Sequence, residues 1–482
     1  MISASIARTQ ARRLSVAAAL VCTAIAPDVV QARQAARWAP FLGEWSGVAT
    51  RRPDAGLPVG VRFVVRPAGD SVRVSISLPE SRLVDLAIPS PYSDSVSVTL
   101  NDGLLRAEWT PDIGLGVIGN LGVPRADERI ELAVRRRGDA LTGEIRITSY
   151  RSPVKLMLAE PPPSEPAISF HSAGDSLRLG GMLVLPQGRG PFPAVVWVTG
   201  SDADTRLAWA YEARVLAAKG IASLLYDKRG VGESSGASHD LASWDDLAGD
   251  VEGALAYLRS RPDLIDTMRL GLAGQSQGTW VIAKVAARDP GVRFLVSIAG
   301  SGIGGAEQET YRTGALMRRA GFPEAEIARA QDFQRRKFAV ARTGLGWAAL
   351  DSTMQQLRGD SVAWFPGYGT GAGARTLASL RMYGVLQFNY EPTRDLARIQ
   401  APVLVLMGER DVVFPPALVV ERMRAALARG GNREMTARII PGASHGLAMV
   451  QSANGRPFRR VISDEFLSIL TDWVVERVEA RR

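Results

Sequence analysis

GESSG at Gly232–Gly236 and GQSQG at Gly274–Gly278 are among the stretches of the chain that read G-x-S-x-G. A serine in this frame can act as a nucleophile when it sits on a sharp turn between a strand and a helix, with a base in reach. The glycines leave room for the strained turn, and the helix N-terminus favours negative charge. The chain has 48 glycines in 482 residues, so chance matches are expected and context decides. RLGLA leads into GQSQG as a strand, and TWVIAKVAARD follows with helical character. GESSG follows YDKRGVG and runs into ASHDLASW, which reads as loop. Ser276 is therefore the expected nucleophile, and Ser234 a loop residue.

A serine at its free pKa needs a base, and the chain holds three histidines. His171 lies in an early strand, and His239 in the loop after GESSG. His445, in PGASHG, comes late, just after the strand ARII. It is the expected base. With the chain order serine, acid, histidine, the acid falls between the other two and after a strand. VLVLMGERD supplies Asp411, with Glu409 as the alternative. The acid would hold the His445 tautomer and stabilise the imidazolium that forms. Two backbone N–H groups are expected to meet the developing oxyanion. One is that of Gln277, after the nucleophile. The other is that of Ser201, with Asp202 as neighbour, in the loop following VVWVTG. Acyl transfer through a covalent intermediate is the chemistry that this set can do.

The elements that must position these residues alternate. FPAVVWVTG (Phe192–Gly200), IASLLYD (Ile221–Asp227), RLGLAG (Arg269–Gly274), FLVSIAG (Phe294–Gly300), VLVLMG (Val403–Gly408) and ARIIPG (Ala437–Gly442) read as strands. Between and after them, Leu207–Gly220, Trp244–Ser260 and Asp464–Val478 have helical spacing. The pattern predicts a mostly parallel sheet with helices on both faces. Residues 304–398 interrupt it with an arginine-rich helical stretch. This is expected as a cap over the carboxyl ends of the strands, where ligands bind in open α/β sheets.

Residues 33–160 read differently. Alternating runs join around Pro67-Ala-Gly-Asp, Asn101-Asp-Gly and Arg137-Gly-Asp, which predicts hairpins of a small antiparallel sheet or barrel. Pro161-Pro-Pro-Ser-Glu-Pro166 is a stiff linker, leaving 167–482 as the catalytic domain. The first 32 residues carry Arg8, Arg12 and Arg13 ahead of an apolar run, Leu14–Ala26, and end in Val30-Gln-Ala32. This is expected as a cleavable secretory signal, placing the protein in a periplasm or outside the cell. The single cysteine, Cys22, lies within it, so the mature chain would have no thiol chemistry. The net charge of +9 comes from scattered arginines rather than a run, which reads as a solvated surface and not as a nucleic-acid site. No other run is long enough to span a membrane.

VTGSD, YDKRGVGESSG, GQSQG, GERD and SHG, in that order, resemble the α/β-hydrolase superfamily over roughly Pro166 to Arg482. Within it the chain looks like bacterial secreted serine esterases. These are related to the acyl-CoA thioesterase/bile-acid acyltransferase C-terminal domain and to serine aminopeptidase-like hydrolases. Their β-rich leader begins with a G-x-W-x-G-like stretch, similar to Gly43-Glu-Trp-Ser-Gly47. The resemblance implies an α/β-hydrolase fold with a helical cap, preceded by a small all-β domain. It implies a carboxylic-ester hydrolase of small-molecule substrates that uses no metal or cofactor, and a structural role for the R-G-x-G-x-S loop around Ser234. The chain departs from the family at Asp202-Ala203-Asp204, where glycines are usual. It departs again at Gln275 and Gly278-Thr279 of the elbow. An amidase or peptidase, a thioesterase, and a binding protein that has lost the reaction are the alternative expectations.

Overall fold

Runs of β-branched and apolar residues alternate with amphipathic segments, and in the computed structural model each takes the form its period demands. The structure describes residues 37–49, 59–68, 71–78, 83–87, 96–109, 130–147, 150–158, 165–368, 374–381, 390–453 and 456–480. The expected signal segment, its cysteine and Pro161, Pro162 and Pro163 of the linker lie outside them. The chain divides into two compact units, one within residues 1–162 with 452–457, the other 163–451 with 458–482.

The first unit is a nine-stranded sheet. Its strands are β1 (Gly43–Ala49), β2 (Val59–Ala68), β3 (Ser71–Leu78), β4 (Leu83–Ala87), β5 (Val96–Asn101), β6 (Leu104–Trp109), β7 (Ile130–Arg137), β8 (Ala140–Ile147) and β9 (Tyr150–Leu158). The order is β4-β3-β2-β1-β9-β8-β7-β6-β5, and each neighbouring pair is antiparallel. The three turn signals join β2 to β3, β5 to β6 and β7 to β8. Trp45, from the G-x-W-x-G stretch, is fully buried among Phe41, Phe63, Leu105, Leu132 and Leu156, and its indole N–H donates to the Phe41 carbonyl at 2.8 Å.

The second unit is built on an eight-stranded sheet of order β10-β11-β13-β12-β14-β15-β16-β17. Its strands are β10 (Ala167–His171), β11 (Arg178–Val184), β12 (Phe192–Val198), β13 (Ala222–Tyr226), β14 (Ile265–Gln275), β15 (Val292–Ile298), β16 (Val403–Gly408) and β17 (Met435–Ile440). β10, β11 and β13 pair antiparallel, and from β13 onward every pair is parallel. The central strands are buried along their length, which is why they read as continuous apolar runs. Helices α1 (Ala210–Ala217), α2 (Trp244–Arg259) and α3 (Gln277–Ala286) form the first crossovers. Ser243 opens α2 with a capping box: its side chain accepts from the Asp246 N–H, and Asp246 accepts in return.

Between β15 and β16 the chain runs through α4 (Gly305–Arg319), α5 (Glu324–Thr343), α6 (Trp347–Gly359), α7 (Phe365–Tyr368) and α8 (Pro392–Leu396). The described residues of this insertion include no strand, and α4 to α7 share an apolar cluster of their own, with Met317, Phe333, Met354 and Trp364 inside it. α9 (Pro416–Arg429) covers β16 and β17, and α10 (Asp464–Glu479) follows a hairpin of β18 (Ala448–Ala453) and β19 (Arg456–Ile462), whose residues 452–457 fall in the first unit. Among the described residues no helix is long and apolar enough to cross a membrane.

Candidate active site

β14 ends at Gln275 and α3 begins at Gln277, so Ser276 occupies the turn between them. Its backbone sits at φ 51° and ψ −119°, a region that non-glycine residues rarely enter. Its N–H is tied to the Ile298 carbonyl at 3.0 Å, and its carbonyl accepts from the N–H of Thr279 at 3.0 Å and from the Thr279 hydroxyl at 2.6 Å. The surrounding structure thus over-determines a strained residue. Gly278 lets this turn form, because a methyl there would overlap the Val198 and Thr199 carbonyls at the end of β12. Gly200, just after β12, lies against the same serine. A methyl on it would stand 3.4 Å from the Ser276 Cβ and 2.7 Å from the Gln275 Oε1.

Asp411 follows β16 and is buried. Its Oδ1 accepts the N–H groups of Val413 (2.7 Å) and Phe414 (2.9 Å), which leaves Oδ2 to face the Nδ1 of His445 at 2.9 Å. The backbone brings the two loops together. Arg410 N–H donates to the Ala443 carbonyl at 2.8 Å, and Gly408 leaves no room for a side chain against the 443–444 peptide. With Nδ1–H donated to the carboxylate, Nε2 is the acceptor of the ring. It meets the Gln275 side-chain amide nitrogen at 3.3 Å, one residue before Ser276. Phe414 stacks on the imidazole with centroids 5.9 Å apart, and Trp280 of α3 meets Phe414 edge-on. Glu409 is exposed and instead accepts the Gly442 N–H at 2.8 Å.

The insertion reaches this loop. Tyr311 of α4 donates its hydroxyl to the Asp411 carbonyl at 2.9 Å, and Gln308 donates to the Val413 carbonyl at 3.1 Å. Burial and the nearby Asp411 raise the pKa of the Tyr311 phenol, which keeps it a donor.

Ser234 belongs to a different construction. Its Oγ donates to the Asp227 carbonyl at 2.6 Å and accepts the Gly180 N–H at 3.0 Å. The Asp227 carboxylate accepts from the Arg206 and Glu233 backbones, and Arg229 forks onto Asp250 at 2.7 and 2.9 Å. The loop is a knot of buried polar pairs. His171 is exposed at the end of β10.

Two side chains from segments that read as loop lie beside Gly200 and Ser201. Lys228 Nζ donates to the Gly200 carbonyl at 2.6 Å and to Oε1 of Gln277 at 3.2 Å. His239 Nε2 donates to the Ser201 carbonyl at 3.0 Å. Their partners are 28 and 38 residues away, so no local pattern marks them. Among the described residues no group of His, Cys, Asp and Glu side chains could hold a metal ion.

A model of the alpha/beta hydrolase family matches residues 183–462. The chain is 32% identical over 124 residues to the thiohydrolase aneE of Aspergillus aculeatus, covering 26% of this chain and 38% of that protein. It is 30% identical over 124 residues to the thiohydrolase apmlB of Arthrinium phaeospermum, covering 26% and 39%. The chain thus spans well under half the length of these curated relatives. Among solved structures, the Pyrococcus furiosus esterase Pf2001 matches with a TM-score of 0.42 at 14% identity, over 66% of this chain and 91% of that one. A 2,6-dihydroxy-pseudo-oxynicotine hydrolase matches with a TM-score of 0.41 at 16% identity, over 67% and 70%.

Proposed function

Because the chain belongs to the alpha/beta hydrolase family, we propose that it is a serine hydrolase cleaving carboxylic esters through Ser276, His445 and Asp411. The observation that carries the reading is the 2.9 Å contact of His445 Nδ1 with Asp411 Oδ2, made by a histidine whose Nε2 meets the residue before Ser276. His445 Nε2 takes the Ser276 hydroxyl proton as Oγ attacks the ester carbonyl carbon. The tetrahedral oxyanion is held by the N–H groups of Gln277 and Ser201. Collapse forms the acyl-enzyme and breaks the bond to the alcohol, which leaves with the proton from His445. Water then attacks the acyl carbon with His445 as base, releasing the acid and restoring Ser276. Asp411 stabilises the imidazolium in both halves.

The insertion of α4 to α8 acts as a cap that shapes the substrate pocket. This is supported by its position after β15 and by its two hydrogen bonds to the Asp411 loop. The arginine-flanked apolar segment at the N-terminus exports the protein to a periplasm or beyond.

A thioester is the second substrate class, favoured by the two thiohydrolases among the relatives. The test is hydrolysis of p-nitrophenyl acetate, butyrate and octanoate, beside acyl thioesters of the same chain lengths, by the wild type and Ser276→Ala. Ester turnover lost in Ser276→Ala supports the reading. Thioester turnover well above ester turnover moves it to the second class. Activity that survives Ser276→Ala removes the serine from the mechanism.

A further inference from the structure

The loop after β12 is gripped from one side. The Gly200 N–H faces the Asp204 carboxylate, the Gly200 carbonyl accepts from Lys228, and the Ser201 carbonyl accepts from His239. Lys228 and His239 are both buried, and neither takes part in the proton transfers described above.

A trans peptide is planar, so its C=O and N–H point in opposite directions. The Gly200 carbonyl and the Ser201 N–H belong to one such plane. Holding the carbonyl on Lys228 therefore fixes the direction of the Ser201 N–H, away from Lys228. The neighbouring Gly200 Cα is the atom whose methyl would touch Ser276. The same ammonium holds the side chain of Gln277, whose backbone N–H opens α3. One buried cation thus ties together the two segments that supply the oxyanion donors. A small cavity lined by Thr199, Lys228, Asp250 and Gln277 adjoins it.

We propose that Lys228 is a positioning residue that locks the Ser201 and Gln277 N–H groups in mutual register, with His239 fixing the peptide that follows. The proposal rests on the serine-hydrolase reading given above. A charge-assisted hydrogen bond to a carbonyl is about twice as strong as a neutral one, so the lock loosens when Lys228 loses its proton. Around the ammonium stand Asp202 and Asp204 from the loop, His239 and Asp240 from the following turn, Asp250 from α2, Gln277 from α3 and Tyr226 from β13. Burial lowers the Lys228 pKa to about 8, against the four aspartates, which raise it. Burial and Asp202 raise that of Asp204 to about 6, so its carboxylate is charged where Lys228 titrates. Burial and Lys228 lower that of His239, which is neutral there. Turnover therefore falls as pH rises through about 8.

The test measures kcat and KM from about pH 6 to 9.5, with blank hydrolysis subtracted, for the wild type, Ser276→Ala, Lys228→Arg, Lys228→Met and Asp204→Asn. A fluorophosphonate probe reports labelling of the serine, and thermal melts report folding. Lys228→Met is expected to lower kcat about 100-fold, the loss typical of one oxyanion donor, with KM nearly unchanged. Lys228→Arg keeps the charge, so it recovers most of kcat and abolishes the alkaline limb. Asp204→Asn removes a counter-charge and moves that limb to lower pH. A folded Lys228→Met with wild-type kcat overturns the proposal, as does an alkaline limb that persists in Lys228→Arg. If Lys228→Met does not fold, the limbs of Lys228→Arg and Asp204→Asn decide, and two unmoved limbs overturn it. Activity and labelling that survive Ser276→Ala instead reject the serine-hydrolase reading, and the lock with it, whatever Lys228 does.

Discussion

Asp411 offers one carboxylate oxygen to two backbone N–H groups of its own loop and the other to Nδ1 of His445, at 2.9 Å. The carboxylate is fully satisfied while its side chain is shielded from water. A charge buried this way acts on the imidazole with little competition from solvent. Asp411→Asn should keep the fold and lower kcat by about 10⁴-fold, because the amide no longer enforces the required tautomer. Glu409→Gln should leave kcat unchanged, since Glu409 is exposed and serves the Gly442 N–H. Steady-state kinetics of the two variants distinguish the carboxylates directly.

Ser234 should prove to matter for stability alone. Ser234→Ala leaves the Gly180 N–H without its acceptor, at a cost of about 1–3 kcal/mol. The expected result is a lower melting temperature with unchanged kcat and unchanged fluorophosphonate labelling.

Gly278→Ala should fail for a steric reason. The added methyl meets the Val198 and Thr199 carbonyls, so α3 must move off the end of β12, with an overpacking cost of about 1–3 kcal/mol or more. Ser276 caps that helix, so labelling should slow by more than the loss of stability explains. A variant that melts lower yet is labelled at the wild-type rate would show that the elbow tolerates the shift.

Lys337 gives a pH dependence of stability. It is buried in the helical insertion, bonded to Gln334 and set over the Phe338 ring, and burial lowers its pKa to about 7. The unfolded chain binds this proton more tightly than the folded one. The group therefore costs stability in full below about pH 7, and the cost fades as pH rises toward the ordinary lysine range. Lys337→Met should raise the melting temperature relative to the wild type by more at acidic than at strongly alkaline pH. Paired thermal melts read the difference, and a difference of the opposite sign would place a stabilising ion pair at Lys337.

Much of the catalytic unit could be read from local pattern. VLVLMG forms β16 with the bounds its apolar run implies, and a strand, a serine and a helix follow one another around Ser276 as the residues there dictate. Such elements are set by continuous apolar runs in strands buried on both faces and by a 3.6-residue period in helices, which a single sequence carries. The grip on Gly200 is different. Lys228 sits in YDKRGVG and His239 in ASHD, both of which read as plain loop, and only the sheet order brings them to the end of β12. The hairpin of β18 and β19 is not among the expected elements, although Asn454-Gly455 between its two runs is a turn signal. β11 was missed for another reason. RLGGMLV has two glycines in its middle, and they fit because neighbouring chain segments approach closely there.

The hydrogen bonds from Tyr311 and Gln308 to the Asp411 loop have a consequence for engineering. Inserted helical segments are natural candidates for exchange between related proteins, as a route to new substrate range. Here the graft junction would cut through supports of the acid loop itself. A chimera carrying a foreign segment would inherit a loosened Asp411 unless it also inherited a phenol and an amide at those two places. The exchangeable module is therefore the insertion together with residues 409–414, moved as one piece.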